Sequence, residues 1–141
     1  MSTQLIDDTG FIAETWAHGF TDNPREIAGE NGAGLDIAPD FDLTELTGRI
    51  DSIGLIRISF GSFADGRGFT TARQLRLMGY TGRLRAYGPL IADQYAMARR
   101  SGFDQVEVPA AIAARQPEED WLFRADWSDN DHQARLRAPA A

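Results

Sequence analysis

Leu55-Ile56-Arg57-Ile58-Ser59-Phe60 is the stretch from which the fold reads outward in both directions. Its apolar content predicts a strand buried on at least one face. A glycine-bearing loop follows, Gly61-Ser62-Phe63-Ala64-Asp65-Gly66-Arg67-Gly68-Phe69. Thr70 or Thr71 can then cap a helix that carries Ala72, Leu75 and Met78 on one side, and Gly79 can close it. Gly82 opens a second strand over Arg83 to Tyr87. Gly88-Pro89 suits the start of another helix, with Ile91, Tyr95 and Ala98 on one face and Arg99 and Arg100 in the last turn. Gly102 ends that helix, Phe103 to Val108 forms a third strand, and Pro109 stops it.

Upstream, Asp42 is a good N-cap with Glu45 three positions later, and Leu43, Leu46, Ile50 and Ile53 recur at helical spacing before Gly54. Residues 42–108 therefore alternate helix and strand, which favours a parallel sheet with right-handed crossovers. The expected fold is α/β, with a small three-stranded parallel βαβαβ core that resembles a partial (β/α) barrel or a doubly wound sheet. An N-terminal β-hairpin precedes it: Gln4 to Asp7, a turn at Asp8-Thr9-Gly10, and Phe11 to Trp16. The expected divisions are a hairpin over 1–18, a loop or linker over 19–41, the α/β core over 42–114 and an acidic–aromatic segment over 115–141 with a frayed end. The glycines and prolines between Gly19 and Pro39 mark the linker. Three parallel strands leave two edges, to be covered by the hairpin, the C-terminal segment or a second subunit in a homo-oligomer.

With 141 residues and 43% apolar content, the chain fits one domain with a real core. A formal charge of −7 argues against general binding to nucleic acid or anionic membrane. There is no cysteine, which removes disulfides, thiolate nucleophiles and cysteine-ligated metal centres. All fourteen cationic side chains are arginine, so Schiff-base and P-loop lysine chemistry are excluded. The first residues show no basic region followed by an apolar run, and no apolar stretch approaches a membrane span, so a cytoplasmic protein is expected. His18 and His132 lack partners at metal or triad spacing, and no metal site is expected. Nor does any flavin, nicotinamide, haem or iron–sulfur signature occur, so no cofactor is expected and the catalytic residues are unknown.

The best candidate site is the loop around Asp65, Gly66, Arg67, Gly68 and Thr70, which leaves a strand at its carboxyl end and enters a helix N-terminus. Arg67 could fork onto a phosphate, sulfite or carboxylate, with Asp65 orienting it; equally, Asp-Gly is a common turn that holds itself together. Tyr87 and Asp93 fall near the same rim. Tyr87 suits stacking on a ligand or plain packing, and Asp93 suits a ligand or the helix dipole. Trp121, Phe123 and Trp127 sit among acidic residues. The 121/123 alternation suggests a strand with both rings on one side, serving either partner docking or the domain's own core.

The run Phe63 to Arg76, then Gly79-Tyr80-Thr81-Gly82-Arg83-Leu84-Arg85-Ala86-Tyr87-Gly88, then Asp93-Gln94 and Arg99-Arg100-Ser101-Gly102-Phe103-Asp104, resembles the bacterial domain-of-unknown-function family 934. The similarity is strongest over about 50–108 and weak beyond about 115. Members are commonly encoded beside sulfite or nitrite reductase genes and described as oxidoreductases of sulfite reduction. The resemblance implies a role in sulfate assimilation, as an accessory protein that binds a sulfite reductase or its electron donor. It supplies no catalytic residues, and an oxidoreductase has no support in these residues. Family members usually carry a cysteine where this chain has Ser101, so a thiol role there cannot be general.

Overall fold

The computed structural model describes residues 2–27, 32–62 and 64–127. Phe63, Gly29, Asn31, His132 and the expected tail from 128 onward lie outside these. Among the described residues seven strands form one sheet: β1 (Thr3–Asp7), β2 (Gly10–Ile12), β3 (Phe20–Thr21), β4 (Gly34–Ile37), β5 (Leu55–Ser59), β6 (Arg83–Tyr87) and β7 (Gln105–Pro109). Their order is β2-β1-β7-β6-β5-β4-β3. Strands β3 to β7 are parallel, and the β1–β2 hairpin joins β7 antiparallel. The helices are α1 (Arg67–Leu77), α2 (Tyr95–Ser101), α3 (Ala110–Arg115) and α4 (Glu118–Phe123). No helix among the described residues is long and apolar enough to cross a membrane.

The α/β class, the hairpin and the three central parallel strands match the sequence reading. The three-stranded core does not stand alone, however: it is the middle of a larger sheet. The stretch read as a linker supplies β3 and β4, because Gly34 serves packing here rather than a turn. A Cβ at Gly34 would lie 2.9 Å from the Phe20 ring and 3.2 Å from Trp16 Nε1.

The expected helix over 42–53 is instead two 3-10 turns, Leu43–Leu46 and Ile50–Ser52. Asp42 does cap, accepting the Thr44 amide at 3.1 Å. The helix cannot continue because Thr47 turns to ψ 126° and Gly48 takes φ +82°. Helix α1 starts at Arg67, so Thr70 and Thr71 lie inside it rather than capping it. Met78 is exposed rather than on the buried side. Between β6 and α2 a 3-10 turn at Ala92–Gln94 delays the helix to Tyr95. Trp121 and Phe123 belong to a helix, not a strand. Two residues apart on a helix point to different sides, so Trp121 is 1% exposed and Phe123 72%.

Successive parallel neighbours joined by right-handed crossovers put the described helices on one face of the sheet. That face carries Ile37, Ile56, Ile58, Leu84, Ala86, Val106 and Val108, packed with Phe69, Ala72, Leu75, Tyr95 and Ala98 in one cluster. Phe60 wedges between Phe69 and Phe103, with ring centroids 5.0 and 5.9 Å away. Gly68 lies against that ring: a Cβ there would sit 2.3 Å from a Phe60 ring carbon.

The hairpin is pinned through Asp8, in its turn. Asp8 accepts the Tyr95 hydroxyl at 2.5 Å, Arg99 Nε and Nη2 at 3.1 Å each, and the Trp127 indole N–H at 3.2 Å. The Trp127 ring lies 4.7 Å from the Arg99 guanidinium carbon. Burial alone would raise the Asp8 pKa, but these donors overcome it and hold the carboxyl below its ordinary value. The outer edge of β2 is closed as well, since the Phe11 amide donates to Glu118 Oε2 at 2.8 Å.

Two outcomes follow. Gly68→Ala should destabilise by about 1–3 kcal/mol through overpacking against Phe60. Gly66→Ala, with open space at that site, should stay within about 0.5 kcal/mol; urea unfolding of both variants compares them. For Asp8 the folded pKa is depressed, so its contribution is present above the unfolded carboxylate pKa and disappears as pH falls through the folded one. Asp8→Asn should therefore cost on the order of 1 kcal/mol at pH 7, after allowing for solvent screening. The gap to the parent should close below about pH 3 in urea titrations followed by circular dichroism; a gap independent of pH contradicts this account.

Candidate functional site

Two of the places where polar side chains gather bear on function: the carboxyl rim of the parallel strands and the sheet face opposite the helices. At the rim, β5 ends at Ser59, and the chain reaches α1 through Asp65 and Gly66. Asp65 and Gly66 therefore lie between a strand's carboxyl end and a helix N-terminus, with Arg67, Gly68 and Thr70 at the start of that helix. Asp65 Oδ1 accepts the Arg67 amide at 3.2 Å and Arg67 Nε at 3.0 Å, and Oδ2 accepts Nη2 at 3.1 Å. The hydrogen bonds from Arg67 pull the Asp65 pKa down to about 2. The Arg67 side chain is 65% exposed, yet Asp65 occupies its Nε–Nη2 edge. An incoming anion must displace that carboxylate or bind elsewhere on the fork. Gly66 has open space around it, whereas Gly68 is committed to the core and Thr70 faces solvent on α1.

The other predicted residues scatter. Asp93 is exposed, and its Oδ1 accepts Arg124 Nη2 at 2.6 Å. Trp121 packs edge-on against Tyr95 and donates its indole N–H to the Gln116 carbonyl at 2.9 Å. Trp127 is docked on Arg99, as described above. Phe123 is the ring of the three left in water, with the Arg124 guanidinium 4.8 Å from its centroid. Ser101 is buried and donates to the Met97 carbonyl at 2.8 Å.

Tyr87 leads to the second region. Its side chain stands on the face opposite the helices, 4.6 Å from the Arg57 guanidinium carbon, with Phe20 on that same guanidinium at 3.7 Å. Register explains the gathering. Asp36 pairs with Arg57, Arg57 with Arg85, and Arg85 with Gln105, so one row crosses four strands; Ser59, Tyr87, Glu107 and Leu5 form the next row. Side chains alternate faces along each strand, so both rows share the face opposite the apolar core.

The hydrogen bonds in this cluster are nearly all charge-assisted. Arg57 Nε and Nη2 fork onto Asp36 at 2.6 and 2.8 Å, and its Nη1 reaches Glu107 Oε1 at 3.0 Å. Arg85 Nε donates to Gln105 Oε1 at 2.8 Å, and its Nη1 reaches the same Glu107 oxygen at 3.0 Å. Glu107 Oε2 accepts the Thr3 hydroxyl at 2.8 Å. The remaining fork of Arg85 is filled by Glu14, which accepts Nη1 at 2.7 Å and Nη2 at 2.8 Å. Hydrogen bonding to Arg85 holds the Glu14 pKa below its ordinary value. The Arg57 guanidinium is kept charged: burial would lower its pKa, and the Asp36 and Glu107 carboxylates outweigh it.

Sequence reading had not singled out Asp36, Arg57, Arg85, Gln105, Glu107, Glu14 or Phe20. A signal existed. Arg57, Arg85 and Glu107 alternate with apolar residues in strands expected to lie within a parallel sheet, whose central strands are commonly apolar on both faces. Such an array can hold an oxyanion by guanidinium forks or act as a purely structural lattice. It offers no nucleophile–base pair, and among the described residues no group of three or more His, Asp or Glu could hold a metal ion.

No curated protein matches this sequence. Residues 34–137 match the model of a family described as bacterial protein of unknown function (DUF934). The match spans β4 to the C-terminal segment and includes the rim loop, the Arg57–Arg85 lattice and α4. Since it covers well over half of the chain, the protein belongs to that DUF934 family.

Proposed function

We propose that the protein is a cytoplasmic accessory factor of assimilatory sulfite reduction that docks onto a sulfite reductase or that enzyme's electron donor. The pathway rests on the family resemblance, whose members are commonly encoded beside such reductases. The binding role rests on one observation: large apolar side chains stand in water where the fold does not need them. Phe123 and Leu122 project from α4, beside exposed Asp93, its half-buried partner Arg124 and the acidic Glu119 and Asp120. Exposed apolar groups ringed by charge are the usual composition of a docking surface. Most of the buried charge, by contrast, is spent on internal pairs. A tagged chain should retain the reductase or its donor from extracts of sulfate-grown cells, read by mass spectrometry. Phe123→Ser should keep the fold and lose at least about tenfold of that retention. Absence of any reductase component from the parent pull-down rules this reading out.

A second reading is favoured by the rim geometry: an anion-binding module in which Arg67, at a helix N-terminus beyond a parallel strand, takes phosphate or a sulfur oxyanion. Calorimetric titration with phosphate and with sulfite tests it. Binding should be lost in Arg67→Ala while thermal stability stays unchanged; undetectable binding by the parent rejects it.

A further inference from the structure

We propose that the outer fork of Arg85 is a receptor for a carboxylate-bearing ligand, occupied in the chain on its own by Glu14. The argument begins with charge. Arg57 and Arg85 are already balanced by Asp36 and Glu107, all four borne on the sheet. Glu14 brings a fifth charge that neutrality does not require. What it satisfies is geometry: the Nη1–Nη2 edge of a guanidinium whose other side is fixed by Gln105 and Glu107. A planar fork held from behind is preorganised for a bidentate carboxylate.

Exposure points the same way. The Arg85 side chain is 0% exposed and that of Glu14 46%, so the Glu14 carboxylate stands between the guanidinium and water. Glu14 lies in residues 13–19, which cross from β2 at one edge of the sheet to β3 at the other with no helix or strand of their own. That segment has a second anchor. Trp16 donates its indole N–H to the Gly19 carbonyl at 2.8 Å, and its ring closes on Gly34 and Gly54. Glu14 can therefore swing out by side-chain rotation while Trp16 keeps the crossing in place.

An incoming carboxylate would inherit the two bonds that Glu14 accepts from Nη1 and Nη2. It would also meet the Phe20 ring, 5.7 Å from the Arg85 guanidinium carbon, as an apolar wall for the rest of the ligand. The tethered Glu14 competes as an intramolecular ligand at an effective concentration in the millimolar range. Removing it should expose the intrinsic affinity of the fork.

The test is rescue in the full chain. Glu14→Ala, with Glu14→Gln as a second variant that keeps the bulk, should melt at a lower temperature than the parent. Acetate should restore the melting temperature at constant ionic strength, adjusted with chloride. The half-effect should fall at least about tenfold lower in acetate concentration than any shift seen in the parent. The Arg85 Nε–Hε signal in nitrogen–proton spectra should move along the same titration, tying rescue to this fork. Running N-acetyl-glutamate methylamide beside acetate separates the two sources of the chemistry. Rescue at a tenth of the acetate concentration assigns the site to an acidic side chain of a partner; equal rescue assigns it to a free small carboxylate. No rescue by either probe, rescue matched by chloride, or an equal response in the parent overturns the proposal.

Discussion

Arg57 and Arg85 are register partners on neighbouring strands, so the pleat sets two guanidinium groups side by side on one face of the sheet. Like charges opposed in this way destabilise a ladder, and Arg85 is wholly withdrawn from water. The arrangement holds because one oxygen, Glu107 Oε1, lies 3.0 Å from Nη1 of each arginine. Asp36 then closes the Arg57 end, and Gln105 fixes Arg85. The residues that make the lattice come from four separate strands. Register over the whole parallel sheet is thus fixed by charge as well as by apolar burial: slipping one strand would strand a charge in a nonpolar setting, a cost of several kcal/mol.

The topology makes such a lattice necessary. Among the described residues, sequential strand order with crossovers of one hand gives the helices to one face and none to the other. The uncovered face cannot be apolar without inviting aggregation, and a short crossing segment cannot bury a wide apolar surface. A self-satisfied ionic face, stacked by Phe20 and Tyr87 and crossed by residues 13–19, resolves both demands. The order of the strands requires that crossing, because β2 and β3 lie at opposite edges of the sheet. The edges are limited too: β3 spans two residues, and β2 lends an outward amide to Glu118.

Much of this frame was legible in the sequence. The three central strands, the hairpin and the glycine stop at Gly102 follow from period and punctuation, because local chemistry decides them. Gly102 takes φ +116°, as a left-handed C-cap requires. What failed was decided by tertiary context. Leu43, Leu46, Ile50 and Ile53 keep helical spacing, but Gly48 interrupts them; Leu46 and Ile53 are buried in the core, while Leu43 and Ile50 pack against it partly exposed. Gly34 read as loop and acts as a contact point for two aromatic rings. Trp121 and Phe123 read as a strand pair, yet the three acidic residues at Glu118–Asp120 favour a helix start. Of the candidate site, the rim position of Asp65–Gly68 was legible. The charged face was not, because it exists only once four strands stand in register.

The residues that carry the family resemblance turn out to be largely architectural. Arg76 binds the carbonyls of Tyr80, Gly82 and Gly102 and the carboxylate of Asp104, joining the end of α1 to the starts of β6 and β7. Tyr80 sends its hydroxyl to the Ile53 carbonyl at 2.9 Å, and Gly82 is small because a Cβ would strike that same hydroxyl. Burial pushes the Tyr80 phenol far above its ordinary pKa, so it stays a neutral donor. Gly68 makes room for Phe60, and Gly88 for the Phe60 carbonyl. A motif made of such residues testifies to a shared way of closing a sheet rather than to shared chemistry. The positions able to distinguish one function from another are those the fold leaves undecided: the exposed fork of Arg67, the Glu14 carboxylate on Arg85, and the Phe123 ring.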